Sequence, residues 1–310
     1  MRIPDAIVLG GGGLLGEAWI SSLLAGLEDA AEFDARDSAC YVGTSAGSIV
    51  AAGLAAGLAP GARLGRIADR AAVPAEGSEQ RETALSHAFA AAARLAGAAA
   101  TPLAPLALAS RAAGGAIVRR TALRAIPEGR RSLEELGRQV ELAGVRWDGR
   151  LRIVAVERES GRRVVFGARG GPEVSVAAAV QASCAIPGVF RPVSARGRSY
   201  VDGGLWSPTN VDVAEVNSGQ HVLCLNPTGS LRSSAGALTG AIGTFSRAIT
   251  SAEGLVLKRR GAILTTINPD ARSAAAMGVD LMDPRPRRAV IEGGLAQGRR
   301  LAAEDQRRVA

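Results

Sequence analysis

Apolar residues in this chain fall into two alternating patterns, and that alternation predicts its elements. Ala6-Ile7-Val8-Leu9 has no polar interruption, as a strand buried on both faces requires, and it runs straight into glycines 10–13 and Gly16. Trp19, Leu23, Leu24 and Leu27 then recur at helical spacing. A second apolar run ends at Tyr41-Val42-Gly43, and Ala-rich helical sequence begins at Ala46. Strand, helix, strand, helix in that order is how a parallel sheet starts.

Residues 61–147 change character. They are rich in Ala and Arg, contain no convincing strand and carry breakers at Pro74, Gly77, Pro102, Pro105, Gly114, Gly115 and Pro127. This predicts a helical insertion, either a cap over the active site or ordinary packing helices. Strands are expected at Leu151–Val156 and Arg163–Phe166, with a helix over Ser175–Ser183. Extended segments follow at Val189–Val193 and Ser199–Val201, and Pro208-Thr209-Asn210 ends the next loop. His221–Leu225 reads as another buried strand, followed by a flexible Gly/Ser-rich linker through Gly243. A helix over Phe245–Arg260, a strand over Ala262–Ile267 and a basic helix over 285–310 complete an α/β chain with a mainly parallel central sheet. One domain is expected over 1–310.

Composition narrows the function classes. Aromatic residues make up only 3% of the 310 positions against 47% hydrophobic, so the core must be built from Ala, Val, Leu and Ile. Net charge is +8, and Lys258 is the only lysine. The arginine pairs are scattered without interleaved aromatics, which argues against nucleic acid as a partner. Attraction to an anionic membrane surface remains an expectation of the net charge. Cys40, Cys184 and Cys224 show no CxxC spacing and read as reduced core thiols, which with the absence of a signal-peptide pattern predicts a cytoplasmic protein. No apolar run reaches membrane-spanning length. No His/Cys/carboxylate cluster has metal-ligand spacing, and no cofactor is called for.

The candidate chemistry lies in three places. Gly43-Thr44-Ser45-Ala46-Gly47 is a G-x-S-x-G pentapeptide between strand and helix, the context of a nucleophile elbow. Gly11-Gly12-Gly13-Leu14-Leu15-Gly16 leaves backbone N–H groups bare at a helix start, able to hold a phosphate or an oxyanion. Tyr200-Val201-Asp202-Gly203-Gly204 places a carboxylate in a tight turn after a strand, where Asp-Gly-Gly is also what a structural turn prefers.

Together with the block Ala182-Ser183-Cys184-Ala185-Ile186-Pro187-Gly188-Val189-Phe190-Arg191-Pro192-Val193, these segments resemble the patatin-like phospholipase family over roughly residues 5–225. The resemblance implies a three-layer fold and a lipid or acyl-ester substrate. It also implies a Ser–Asp dyad, with Ser45 the nucleophile and Asp202 its base. The oxyanion would be held at Gly11, Gly12, Gly13, Leu14 and Gly16, with Gly43 and Gly47 shaping the elbow and Gly203 and Gly204 the aspartate turn. The chain departs from the family at Leu15, where Arg or Lys usually precedes the last glycine, and at Gly10, often a polar residue. Both read as tuning of substrate preference. Ser48 and Ser183 are expected to cap or pack, and Asn210 to brace the Asp202 loop.

Competing readings stay open on sequence alone. Ser45, Asp202 and His221 occur in the chain order of a Ser-His-Asp triad. Gly11-x-Gly13-x-x-Gly16 after a strand also satisfies a dinucleotide fingerprint, although the second strand ends in Gly43-Thr44-Ser45 rather than an acidic residue. The same scaffold could serve an acyltransferase, a thioesterase or a catalytically weak lipid-binding protein.

Overall fold

The structure is a computed structural model that describes residues 3–31, 33–62, 64, 113–231 and 237–309. Most of the expected insertion at 61–147 lies outside the described residues. The part that is described holds two helices, α3 (Ala113–Ala125) and α4 (Glu134–Leu142).

An eight-stranded sheet forms the centre. Five of its strands, β1 (Ala6–Leu9), β2 (Cys40–Thr44), β3 (Leu151–Glu157), β7 (His221–Leu225) and β8 (Ile263–Ile267), are parallel in the order β3-β2-β1-β7-β8, with β8 at the edge. Three antiparallel strands, β4 (Arg163–Phe166), β5 (Val193–Ala195) and β6 (Arg198–Asp202), extend the β3 side. β1, β2 and β7 are almost wholly buried because helices cover both faces of the sheet there.

Alternation along the strands decides which cluster each residue joins. Ile7, Leu9, Tyr41, Ile153, Ala155 and Leu223 join the larger apolar cluster with α1 (Gly13–Ala30), α2 (Ala46–Ala55), α5 (Val176–Cys184) and α8 (Arg287–Val309). Ala6, Val8, Val42, Val154 and Val222 join the other, with Val211, Ala214 and Leu257 of α6 (Ala237–Arg259). The result is three layers. A short helix, α7 (Ala271–Met277), was not expected, and α6 begins inside the stretch read as linker. Of the extended segment expected at Val189–Val193, Phe190 forms an isolated bridge with Arg131 and only Val193 enters a strand, β5.

The register of β3 positions the site. Along one edge it pairs with β4. Along the other it pairs first with β2, Thr44 opposite Val154, and then with β6, Asp202 opposite Ala155. The C-terminal ends of β2 and β6 therefore meet head to head on one track of the sheet. Sequence positions 44 and 202 become neighbours through backbone pairing alone.

Candidate active site

Ser45 follows β2 at φ 51° and ψ −124°, outside the regions that a non-glycine residue adopts freely. Such strain persists only where the surroundings enforce it, and here they do. The Ser45 N–H donates to Ser183 Oγ at 2.9 Å, and Ser183 Oγ donates to the Val154 carbonyl at 2.6 Å. The Ser45 carbonyl accepts from Ser48 Oγ at 2.7 Å and from the Ser48 N–H at 2.8 Å. Gly47 brings α2 against the end of β1: a Cβ there would lie 2.0 Å from the Leu9 carbonyl oxygen. Gly43 is as constrained, its missing Cβ being 2.5 Å from Ser48 Cα.

Asp202 ends β6 and is buried, with 6% of its surface exposed. Its N–H donates to the Ala185 carbonyl at 3.0 Å, and Oδ1 accepts from the Gly204 N–H at 2.7 Å. The Ser45 side chain lies close enough to the carboxyl to pull its pKa down. Burial pushes that pKa up to about 6, while Ser45 and the Gly204 N–H pull the other way and only partly offset it. Gly203 sits where any side chain would strike the Val154 carbonyl oxygen, so the turn packs tightly on β3.

The glycine segment runs beside the serine, since a Cβ on Gly11 would lie 3.3 Å from Ser45 Cβ. The Gly11 N–H is already spent on the Pro208 carbonyl at 2.8 Å, that of Leu15 on the Leu281 carbonyl at 3.0 Å and that of Gly16 on the Gly12 carbonyl at 2.8 Å. Among the described residues, the N–H groups of Gly12, Gly13 and Leu14 find no acceptor. They form the start of α1, where the helix dipole adds positive potential. Of the five oxyanion candidates, Gly11 and Gly16 thus shape the loop, and the free donors belong to the three between them. Leu15 is wholly buried in the larger apolar cluster. A cation at that position would have to leave the core to reach the site.

Other candidates lie elsewhere. His221 opens β7, its backbone N–H bonded to Asp5. Leu225, four residues on, is level with Leu9, which is level with Gly43. At about 3.3 Å per residue His221 sits roughly 13 Å back along the sheet, at the far end from Ser45, so His221 forms no triad with Ser45 and Asp202. A surface pocket of about 450 Å³ lined by Trp147, Gly167, Glu173 and Arg196 lies toward the start of β3 and contains none of the site residues. Reasoning from sequence missed the Ser183 acceptor and the Pro208 carbonyl. Ser183 at least carried a signal, because it lies in the Ala182–Val193 block.

A family model described as patatin-like phospholipase matches residues 7–215. No curated protein sequence matches the chain. Among solved structures, VipD from Legionella pneumophila is similar at 18% identity with a TM-score of 0.44, covering 97% of this chain and 67% of that one. Because the family model spans more than half of the sequence and takes in the glycine loop, the elbow and the aspartate turn, the chain belongs to the patatin-like phospholipase family.

Proposed function

We propose that this chain is a lipid acyl hydrolase that cleaves carboxylic esters through an acyl-enzyme on Ser45, with Asp202 as the base. The observation that carries this reading is the strained Ser45 beside a buried carboxylate whose pKa is pushed up to about 6. A serine hydroxyl needs a base within hydrogen-bond reach. An ordinary aspartate, with a pKa of about 3.9, is too weak for the task, and burial strengthens it.

In this reading Ser45 Oγ attacks the ester carbonyl and its proton passes to Asp202. The N–H groups of Gly12, Gly13 and Leu14 hold the oxyanion, and losing one such donor costs about 10²–10³ in rate. Asp202 returns the proton to the departing alcohol, and water then releases the acid by the same route in reverse. Family membership supports the lipid substrate, and the net charge of +8 supports peripheral contact with anionic lipid.

Fluorophosphonate labelling followed by peptide mass spectrometry tests the reading, with Ser45→Ala as control. Modification confined to Ser45 is expected. An unlabelled protein, in detergent or with lipid present, would overturn it.

A further inference from the structure

The loop after the aspartate turn is buried and polar, an uncommon combination that requires every group to find a partner. Ser207, Thr209 and Asn210 are all fully buried. Asn210 takes a left-handed conformation with φ 52°. Its Nδ2 donates to Thr44 Oγ1 at 3.1 Å and to the Ser207 carbonyl at 2.9 Å. Its Oδ1 accepts from Arg163 Nη1 at 3.2 Å, and Arg163 is itself fixed by a two-pronged pairing with Asp212 at 2.7 and 2.8 Å. Thr44 Oγ1 in turn reaches back to the Thr209 carbonyl at 3.4 Å.

The loop is held from behind by α6. Ser246, Thr250 and Glu253 fall at i, i+4 and i+7, which puts them on one helical face, and that face is buried. Glu253 Oε2 accepts from Ser207 Oγ at 2.9 Å and from the Val211 N–H at 3.1 Å, while Thr250 Oγ1 meets Thr209 Oγ1 at 3.2 Å. Asn226 donates to Thr250 Oγ1, and the next residue, Pro227, lies against Gly12 and Gly16. The inward polar stripe of one helix thus grips two loops that touch the elbow and the glycine segment.

We propose that Asn210 is a positioning residue: through Thr44 it sets the turn that presents Ser45, with Arg163 and the Glu253-held Ser207 fixing its own orientation. This rests on the acyl-hydrolase reading above. The amide touches neither the Ser45 hydroxyl nor the Asp202 carboxylate and acts by holding the residue before the nucleophile.

The test compares Thr44→Val, Thr44→Ser and Asn210→Gly, the last keeping a backbone that tolerates positive φ. Two quantities are read: the rate constant of fluorophosphonate labelling per labelled serine, and kcat and KM on a p-nitrophenyl ester. Thr44→Val and Asn210→Gly are expected to label about tenfold more slowly and to lose kcat at unchanged KM, as small misplacements of a reacting group do. Thr44→Ser, which keeps the hydroxyl, is expected to restore the rate. Normalising to labelled serine removes any unfolded fraction. A wild-type rate per serine in both Thr44→Val and Asn210→Gly overturns the proposal, as does a Thr44→Ser loss equal to that of Thr44→Val. Failure of the unmodified protein to label at Ser45 instead sinks the underlying reading, and the two failures are distinct.

Discussion

At the scale of the residue, Asp202 governs behaviour that can be read out with pH. Its pKa is raised from an ordinary 3.8 to about 6, with burial the largest cause. In the proposed mechanism only the ionised carboxylate takes the Ser45 proton, so kcat/KM and the labelling rate should rise with pH through about 6 and then level off. A flat profile between pH 5 and 8 would show that Asp202 is not the titrating base. The stability consequence has the opposite sense. Between pH 3.8 and about 6 the folded state keeps a proton that the unfolded chain has lost, so this group's contribution is complete below that window and disappears as pH rises through it. Asp202→Asn, neutral throughout, should therefore be more stable than the parent at pH 8 by roughly 1–3 kcal/mol and about equal to it near pH 4, while turnover is lost. Urea titrations at the two pH values measure this. The pattern would mark a group held at a cost to the fold for the sake of chemistry.

At the scale of the element, the last turn of α5 is the tie between the elbow and the sheet. Ser183 Oγ accepts from the Ser45 N–H and donates to the Val154 carbonyl, so Ser183→Ala strands a buried donor. A loss of about 1–3 kcal/mol is expected in urea, together with slower labelling of Ser45. Unchanged stability would mean that the turn re-forms without this bond. Sequence could not weigh Ser183 because a serine near a helix end reads equally well as a cap or as packing. The same limit explains what else was hidden. β1, β2, the first helix and the elbow were legible because apolar runs and glycines mark them directly. α6 was read as starting only at Phe245, because Gly240 and Gly243 look like linker, whereas it begins at Ala237. Its stripe of Ser246, Thr250 and Glu253 would by pattern face water, yet all three are buried, Thr250 and Glu253 against the polar loop of Ser207 and Thr209 and Ser246 against Asn226. A pattern of hydrophobic and polar positions records burial only where burial is apolar. The division of labour within Gly11–Gly16 was invisible for a related reason: which N–H remains free depends on the carbonyls of Pro208 and Leu281, far along the chain.

At the scale of the whole molecule, the first helix joins the C-terminal one to the candidate site. The N-terminal turn of α1 carries the free N–H groups, while its later turns pack against α8, which lies beyond the family-matched residues. The two helices approach closely through glycines. A Cβ on Gly298 would lie 2.3 Å from the Leu23 carbonyl oxygen and 2.8 Å from the Leu27 nitrogen. Trp19 Nε1 also donates to Gln297 Oε1 at 3.0 Å within the same contact. Gly298→Ala should force the helices apart and cost about 1–3 kcal/mol, as overpacking does. The clash falls on Leu23–Leu27, more than two turns from Gly12–Leu14, and the start of α1 is pinned independently by Leu281 and Pro227. Denaturation midpoints should therefore drop while the labelling rate per serine at 20 °C stays at the parent value. Rate and stability falling together would instead mean that α1 moves as one rigid rod, with its packing against α8 setting where the N–H donors point.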